Sequence, residues 1–401
     1  MGWMQWLQTL TNIMYAMVLL GVVWEQGSWT VTGQTLLQNG DFETGPANIT
    51  TNSGQEVPIV GQNALPGWKL QGTVLYVSSG GNISLPNDGH GVELGLNGQI
   101  SQVFSAEKPG SPYALTFSIG QAGEKDECLA SNLVNVTVSP YSQLFQLNAQ
   151  FTPESWDTYA WGFVAQDITL DLVFKSQPGE VDPNVTCGPV IDTVALKEFG
   201  TIESSKGNLL LNGDFEQGPY IPVNASHGIL LAPVSDISSS SLPGWSIGPS
   251  NPVKYIDSAH FHVPNGAGAV ELVSPQQGAI QQNVTTVPGL AYGFSFEIGD
   301  GNDSCFGNMT IKFQAGPLTQ NHTYFSGGFG GKDLVSIGFK AESTSTLVSF
   351  MSLSKHYGDG TSFCGPIIDN VMLMVASSGL RLSIMLVSCI ISFTLTLCLT
   401  I

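Results

Sequence analysis

Basic residues are scarce in this chain: 12 Lys and Arg stand against 31 Asp and Glu in 401 residues, a formal net charge of −19. That balance would repel a phosphate backbone, and no clustered basic face or stacking platform offsets it, which argues against nucleic acid as a partner. Cysteines number only six and none forms a C-x-x-C pair, so a zinc site built from them lacks its usual spacing. There is no G-x-S-x-G elbow, no H-E-x-x-H helix and no Walker-type loop. Helical stripes at i, i+3, i+4 are missing between the two terminal segments. An acidic surface still suits basic proteins or neutral ligands.

What the chain does contain is a repetition. Leu36-Leu37-Gln38-Asn39-Gly40-Asp41-Phe42-Glu43 returns as Leu210-Leu211-Asn212-Gly213-Asp214-Phe215-Glu216. In the same order Leu65-Pro66-Gly67-Trp68 returns as Leu242-Pro243-Gly244-Trp245, and Val92-Glu93-Leu94 as Val270-Glu271-Leu272. Cys187-Gly188-Pro189-Val190-Ile191-Asp192 returns as Cys364-Gly365-Pro366-Ile367-Ile368-Asp369. One domain has been duplicated, at an offset close to 177 residues, and each copy is long enough to bury its own core. The domains expected are 34–198 and 208–375, joined by a linker at 199–207.

The apolar run Asn12 to Trp24 reads as part of a secretory signal peptide ending near residue 27. Nine N-x-S/T sequons agree with secretion, at Asn48, Asn82, Asn135, Asn184, Asn224, Asn283, Asn302, Asn308 and Asn321. Cys128 and Cys187 are 59 residues apart, as are Cys305 and Cys364. Four cysteines allow three connectivities, and the duplication favours one disulfide per domain, each stabilising by about 4 kcal/mol in the chain-entropy model. The uncharged stretch Leu382 to Ile401 follows Ala376-Ser377-Ser378-Gly379. Residues 376–401 therefore read as a glycosylphosphatidylinositol attachment signal, cleaved at Ser377, Ser378 or Gly379, or as a retained transmembrane helix.

Alternation dominates both copies. Tyr113, Leu115, Phe117 and Ile119 share one face of a half-buried strand, Tyr292, Phe294, Phe296 and Ile298 repeat the pattern, and Ile168, Leu170, Leu172 and Phe174 form a third example. With 47 Gly and 22 Pro punctuating short strands, the fold class is all-β, two tandem β-sandwiches of jelly-roll type.

Three groups of residues are candidates for chemistry. If the first and last strands of a sandwich lie together, Glu43 meets Asp192 and Glu216 meets Asp369, and carboxylates so placed suit one structural calcium per domain. Trp156, Tyr159 and Trp161 form an aromatic cluster that the second copy lacks, since Trp161 aligns with Ile337, and they are candidates for stacking on a sugar. Glycoside hydrolysis needs paired carboxylates, and Glu93 and Glu271 are the best candidates for a glycan hydrolase or esterase. Their presence in both copies fits a shared scaffold contact better than a duplicated active site, so the expectation is a protein that is not an enzyme.

At the N-G-D-F-E, L-P-G-W and C-G-P-x-x-D elements, and at Tyr255-Ile256-Asp257-Ser258-Ala259-His260-Phe261, the chain resembles the plant cell-wall family known as domain of unknown function 642. The resemblance covers about residues 34 to 375. It implies two galactose-binding-like domains, akin to carbohydrate-binding modules in which matching acidic positions hold calcium. It also implies an extracellular, non-catalytic protein that associates with cell-wall polysaccharide and with pectin-modifying enzymes such as basic pectin methylesterases. The C-terminal tail implies attachment to the outer face of the plasma membrane. Copy one departs from the pattern where Val74-Leu75-Tyr76-Val77 stands for Val253-Lys254-Tyr255-Ile256-Asp257, and where Gly89-His90-Gly91 precedes Val92.

Overall fold

The computed structural model describes residues 36–376, apart from 82, 87–88, 122–132, 148–150, 152–155, 178–187, 203, 206, 226, 235, 249–250, 275, 304 and 356–362. The signal peptide, Cys128, Cys187, Asn82, Asn184 and the tail with Ser377, Ser378 and Gly379 lie outside the described residues. Within them the chain is all-β, with one 3-10 turn at Ile237–Ser239 and no α-helix. No helix there is long and apolar enough to cross a membrane.

Among the described residues the strands, numbered in chain order, build three sheets. Beginning in the first domain, the largest sheet runs β1 (Glu56–Pro58), β3 (Val74–Ser78), β4 (His90–Leu94), β11 (Pro189–Glu198), β6 (Pro112–Gln121) and β9 (Trp156–Val164). It continues in the second as β12 (Ile229–Leu231), β14 (Val253–Asp257), β15 (Gly268–Leu272), β22 (Ile367–Val375), β17 (Ala291–Asp300) and β20 (Gly331–Lys340). A second sheet, β2 (Lys69–Gln71), β5 (Gln99–Ser105), β10 (Thr169–Ser176), β7 (Leu133–Val138) and β8 (Tyr141–Gln146), closes the first sandwich. The third, β13 (Ser246–Ile247), β16 (Ala279–Thr285), β21 (Ser345–Ser352), β18 (Gly307–Ala315) and β19 (Leu318–Ser326), closes the other.

Each sandwich has its own core. Trp68, Phe42, Phe117 and Phe174 anchor the first, and Trp245, Phe215, Phe294 and Phe296 the second. Burying one such ring contributes about 1.5–3 kcal/mol. Cys305 and Cys364 form a disulfide in the second core, a bond that persists mainly in oxidising compartments.

The two sandwiches share backbone hydrogen bonds. Parallel pairing of β12 with β9 sets Leu230 opposite Tyr159 and Leu231 opposite Ala160, so the large sheet is continuous across the domain boundary. Around that seam Phe151 of the first domain packs with Leu230, Val273 and Phe363 of the second. The Lys254 ammonium donates to the carbonyls of Phe151 and Phe363 at 3.3 and 3.2 Å. Gly162 lies flat against the turn at 239–241, where a Cβ would stand 2.2 Å from the Ser239 carbonyl oxygen.

This junction changes one expectation. Period-two alternation predicts that β6 is half-buried, yet nine of its ten positions are buried. Its outward face is covered by the second domain, where Thr116 Oγ1 donates to the Tyr220 carbonyl at 3.2 Å. The equivalent β17 has no such cover over most of its length and alternates as expected. Ile168 also departs from the pattern: it precedes β10 and is 58% exposed, whereas Leu170, Leu172 and Phe174 are buried.

Candidate functional site

The repeated Asn-Gly-Asp-Phe-Glu element is a fitted joint against the last strand of each sandwich. Val194 N–H donates to the Gly40 carbonyl at 2.8 Å, and Val371 N–H to that of Gly213 at 2.7 Å. A Cβ on Gly40 would sit 1.9 Å from the Val194 carbonyl oxygen, and on Gly213 2.1 Å from that of Val371, so only glycine permits this approach. Phe42 and Phe215 have φ of 54° and 52°, in the left-handed region that bulky residues avoid. They are held there by Tyr76 and Tyr255, whose hydroxyls donate to the Phe42 and Phe215 carbonyls at 2.8 and 2.9 Å. The Trp68 and Trp245 indole N–H groups donate to the carbonyls of Asn39 and Asn212. The Leu-Pro-Gly-Trp turn and this element thus form one unit.

Glu43 and Asp192 converge, as do Glu216 and Asp369, closely enough for each glutamate to push its aspartate's pKa upward. Asp192 is buried, and burial first, then the charges of Glu43 and Asp41, hold it well above the usual carboxylate range against the Thr193 N–H bond. Asp369 is raised to about 8 by burial, with Glu297 and Glu216 adding and backbone N–H bonds opposing.

The two donor sets differ in their fit to a hard cation. In the second domain Asp369 accepts N–H bonds from Asn370 and Asn265, one on each oxygen, and Glu216 Oε1 accepts from Ala267 and Gly268. Three of the four oxygens of that pair already accept N–H bonds from the chain, which makes them weaker candidates for a cation than an oxygen with no partner. In the first domain Glu43 is committed to His90, with Oε1 accepting its N–H at 2.7 Å and Oε2 lying 2.9 Å from Nδ1. Asp192 Oδ2, however, is buried and without a hydrogen-bond partner, beside the Asp41 and Glu43 charges. A buried carboxylate oxygen with no partner fits a cation, which would favour the ionised form there.

Glu93 and Glu271 are sealed from solvent, at 1% and 2% exposure. Glu93 Oε1 accepts the Gly188 N–H at 2.9 Å, and Glu271 takes the Gly365 N–H in the same way. The Val-Glu-Leu and Cys-Gly-Pro elements recur together because one caps the other. The partners across the strand differ: Leu75 faces Glu93, whereas Lys254 faces Glu271, with Nζ 3.9 Å from Oε2. Burial raises Glu93 to about 8 and Glu271 to about 7, the lysine opposing the rise in the second case.

Trp156, Tyr159 and Trp161 occupy β9, the strand that pairs with the second domain. Trp156 and Trp161 are buried, at 8% and 4% exposure, and Trp161 packs on Phe145 and Phe163. Tyr159 is half-buried and donates to the Gln146 carbonyl. Tyr159 and Trp161 face the first core, on Phe117, Phe145 and Phe163, while Trp156 packs on His227 of the second domain, where β9 continues the sheet and the aligned β20 ends it. They do not form an exposed stacking face.

A cleft of about 290 Å³ does open between the domains. The first domain contributes Asn39, Asp41 and Thr193, and the second contributes Tyr220, Pro222 and Val223. Thr193 is itself strained, at φ 51°. The segment bearing Tyr220 is tied to the first domain by Lys197, whose Nζ donates to the Gly218 carbonyl at 2.6 Å, and by the Asn224 amide, which donates to the Pro86 carbonyl at 2.5 Å. Sequence reasoning missed Tyr220 because its segment has no recurring motif. Among the described sequons, Asn48, Asn224, Asn283, Asn302, Asn308 and Asn321 are exposed and Asn135 is half-buried.

Comparison with known proteins places these features in a family. The profile described as "Protein of unknown function (DUF642)" matches residues 35–197 and again 208–374. Protein DUF642 L-galactono-1,4-lactone-responsive gene 2 of Arabidopsis thaliana is 37% identical over 346 residues, covering 84% of this chain and 91% of the relative. Protein TEEBE of the same plant is 37% identical over 348 residues, covering 85% and 91%. Among solved structures, TmCBM61 in complex with β-1,4-galactotriose is 13% identical, covering 42% of this chain and 99% of that one, at a TM-score of 0.28. The ANXUR2 extracellular domain of Arabidopsis thaliana is 7% identical, covering 81% and 96%, at a TM-score of 0.30. The chain belongs to the DUF642 family.

Proposed function

We propose that the protein is secreted to the plant cell wall and binds a wall polysaccharide without turning it over, with the cleft between the two domains as the saccharide site. The cleft carries this reading. Asp41, Tyr220, Pro222 and Val223 all line it, residue types that supply the acceptor, aromatic and apolar groups a sugar ring requires. The continuous sheet through β9 and β12 fixes its two walls. The hydrolytic alternative needs reactive carboxylates facing substrate, and Glu93 and Glu271 are instead buried. Affinity electrophoresis against xyloglucan, cellulose and pectins, with reducing-sugar release followed on the same samples, tests the reading. Retention by one polysaccharide without product is expected, and product formation would overturn it.

The net charge of −19 favours a second partner class, a basic protein such as a pectin methylesterase. Capture of purified basic esterase by the ectodomain at low salt, lost at high salt, is the expected signature. The C-terminal tail would hold the protein at the outer face of the plasma membrane. Calcium, in this reading, belongs to the first domain, at Asp192 with Asp41. Chelator should then lower the thermal midpoint of calcium-loaded protein and leave Asp192→Asn unmoved. An equal response in both proteins would count against the site.

A further inference from the structure

The outer face of the smaller sheet of the second domain presents three sequon asparagines, Asn283 on β16, Asn308 on β18 and Asn321 on β19, all exposed. On the β18–β19 hairpin the two sequons are interlocked. Thr310 and Thr323, the hydroxyl residues of Asn308-Met309-Thr310 and Asn321-His322-Thr323, stand directly opposite one another with their hydroxyls 2.9 Å apart. The next pair on that face sets Asn308 directly opposite Phe325. Phe325 is 73% exposed on β19, which ends its sheet. Directly opposed residues on one face have their Cβ atoms about 4.5–5.5 Å apart. β19 leaves one edge open, and a bare ring there adds apolar surface to the kind of edge that natural β-sheet proteins blunt or cover.

We infer that Asn308 carries an N-linked glycan whose first N-acetylglucosamine lies on the ring of Phe325. Attachment forms a bond between Asn308 Nδ2 and C1 of the oligosaccharide of a polyprenyl-diphosphate donor. The anomeric C–O bond to the diphosphate breaks, the diphosphate leaves with the electron pair, and the amide loses one proton to the transferase. The sugar's axial C–H bonds then meet the ring face, covering apolar surface that the protein fold leaves in water. Copy one uses a different pair for the same purpose: Asn135 on β7 stands directly opposite Leu144, which is 56% exposed on the terminal strand β8. Both small sheets would thus be glycan-covered at their free edges, leaving the cleft as the open surface.

The inference rests on the secreted reading and is tested on full-length protein purified from plant cells. Peptide mass spectrometry reads occupancy at each sequon, and thermal midpoints are compared for wild type, Asn308→Gln, Phe325→Ala and the double variant. Occupied Asn308 is expected, with loss of its glycan lowering the midpoint by at least about 2 °C when Phe325 is present and by less than about half as much when it is not. Equal losses with and without Phe325 overturn the stacking. An unmodified Asn308 beside occupied Asn48 or Asn283 overturns this proposal alone. No glycan at any sequon overturns the secreted reading with it.

Discussion

Replacing Glu93 by Gln should raise stability at pH 8 and leave it nearly unchanged at pH 4.5. Glu93 is 1% exposed, one of its oxygens has no partner, and burial with the charge of Glu56 lifts its pKa from 4.5 to about 8. Between those two values the folded protein holds a proton that the unfolded chain has released. Stability contributed by this group is therefore fully present below pH 4.5, falls as pH rises towards 8, and is flat above it. At 1.36 kcal/mol per pH unit the cost at pH 8 is on the order of 4 kcal/mol, and the neutral amide does not incur it. Asp369 and Glu271 carry shifts of the same sign. Wild type should thus lose stability steadily from pH 5 to 8, and Glu93→Gln should show a shallower slope in urea denaturation. Parallel slopes would mean that Glu93 is already ionised in the fold.

Lys254→Met should act in the opposite sense. The ammonium lies 3.9 Å from Glu271 Oε2 and donates to the carbonyls of Phe151 and Phe363, so its loss strands a buried carboxylate and two carbonyls. Removing one partner of a buried pair costs about 3–5 kcal/mol. The full cost is expected at pH 8, where Glu271 would be charged, and a smaller one at pH 5, where it is protonated. The first domain is the internal control, because Leu75 stands opposite Glu93 where Lys254 stands opposite Glu271, and only Glu271 has a lysine opposing its upward shift. Adding Glu271→Gln to Lys254→Met should recover the part that depends on pH and leave the part due to the carbonyls. Urea midpoints of the three variants at both pH values separate the two, and a loss independent of pH would show that the carboxylate is not involved.

Much of the architecture is legible in the sequence, for reasons that can be named. The doubled motifs survive because each solves a local geometric problem: Gly40 and Gly213 admit the last strand, Trp68 and Trp245 seat the turn, and Glu93 and Glu271 cap the glycine after the cysteine. Hidden from sequence is what happens between the copies. Period two shows that β6 has two faces, but not that the second domain covers one of them. A parallel pair between β9 and β12 joins segments about 70 residues apart, with no turn to announce it. Comparing the copies also has a limit, because a residue found in one copy alone can serve packing instead of a ligand, as Trp161 does in the first core and Trp156 does against His227 of the second domain. Tyr220 and Asp41 meet only through that junction, so their cleft could not be foreseen from either copy by itself.

The central claim is that this protein holds a saccharide between its domains and does not cleave it. The most direct measurement is retention of the ectodomain in a polysaccharide-containing gel, run beside Tyr220→Ala and the double variant Glu93→Gln/Glu271→Gln, with product assayed throughout. The account predicts that Tyr220→Ala abolishes retention, that the double variant is retained like wild type, and that no reducing sugar is released. Retention that survives Tyr220→Ala, or turnover that disappears with the two glutamates, would contradict it.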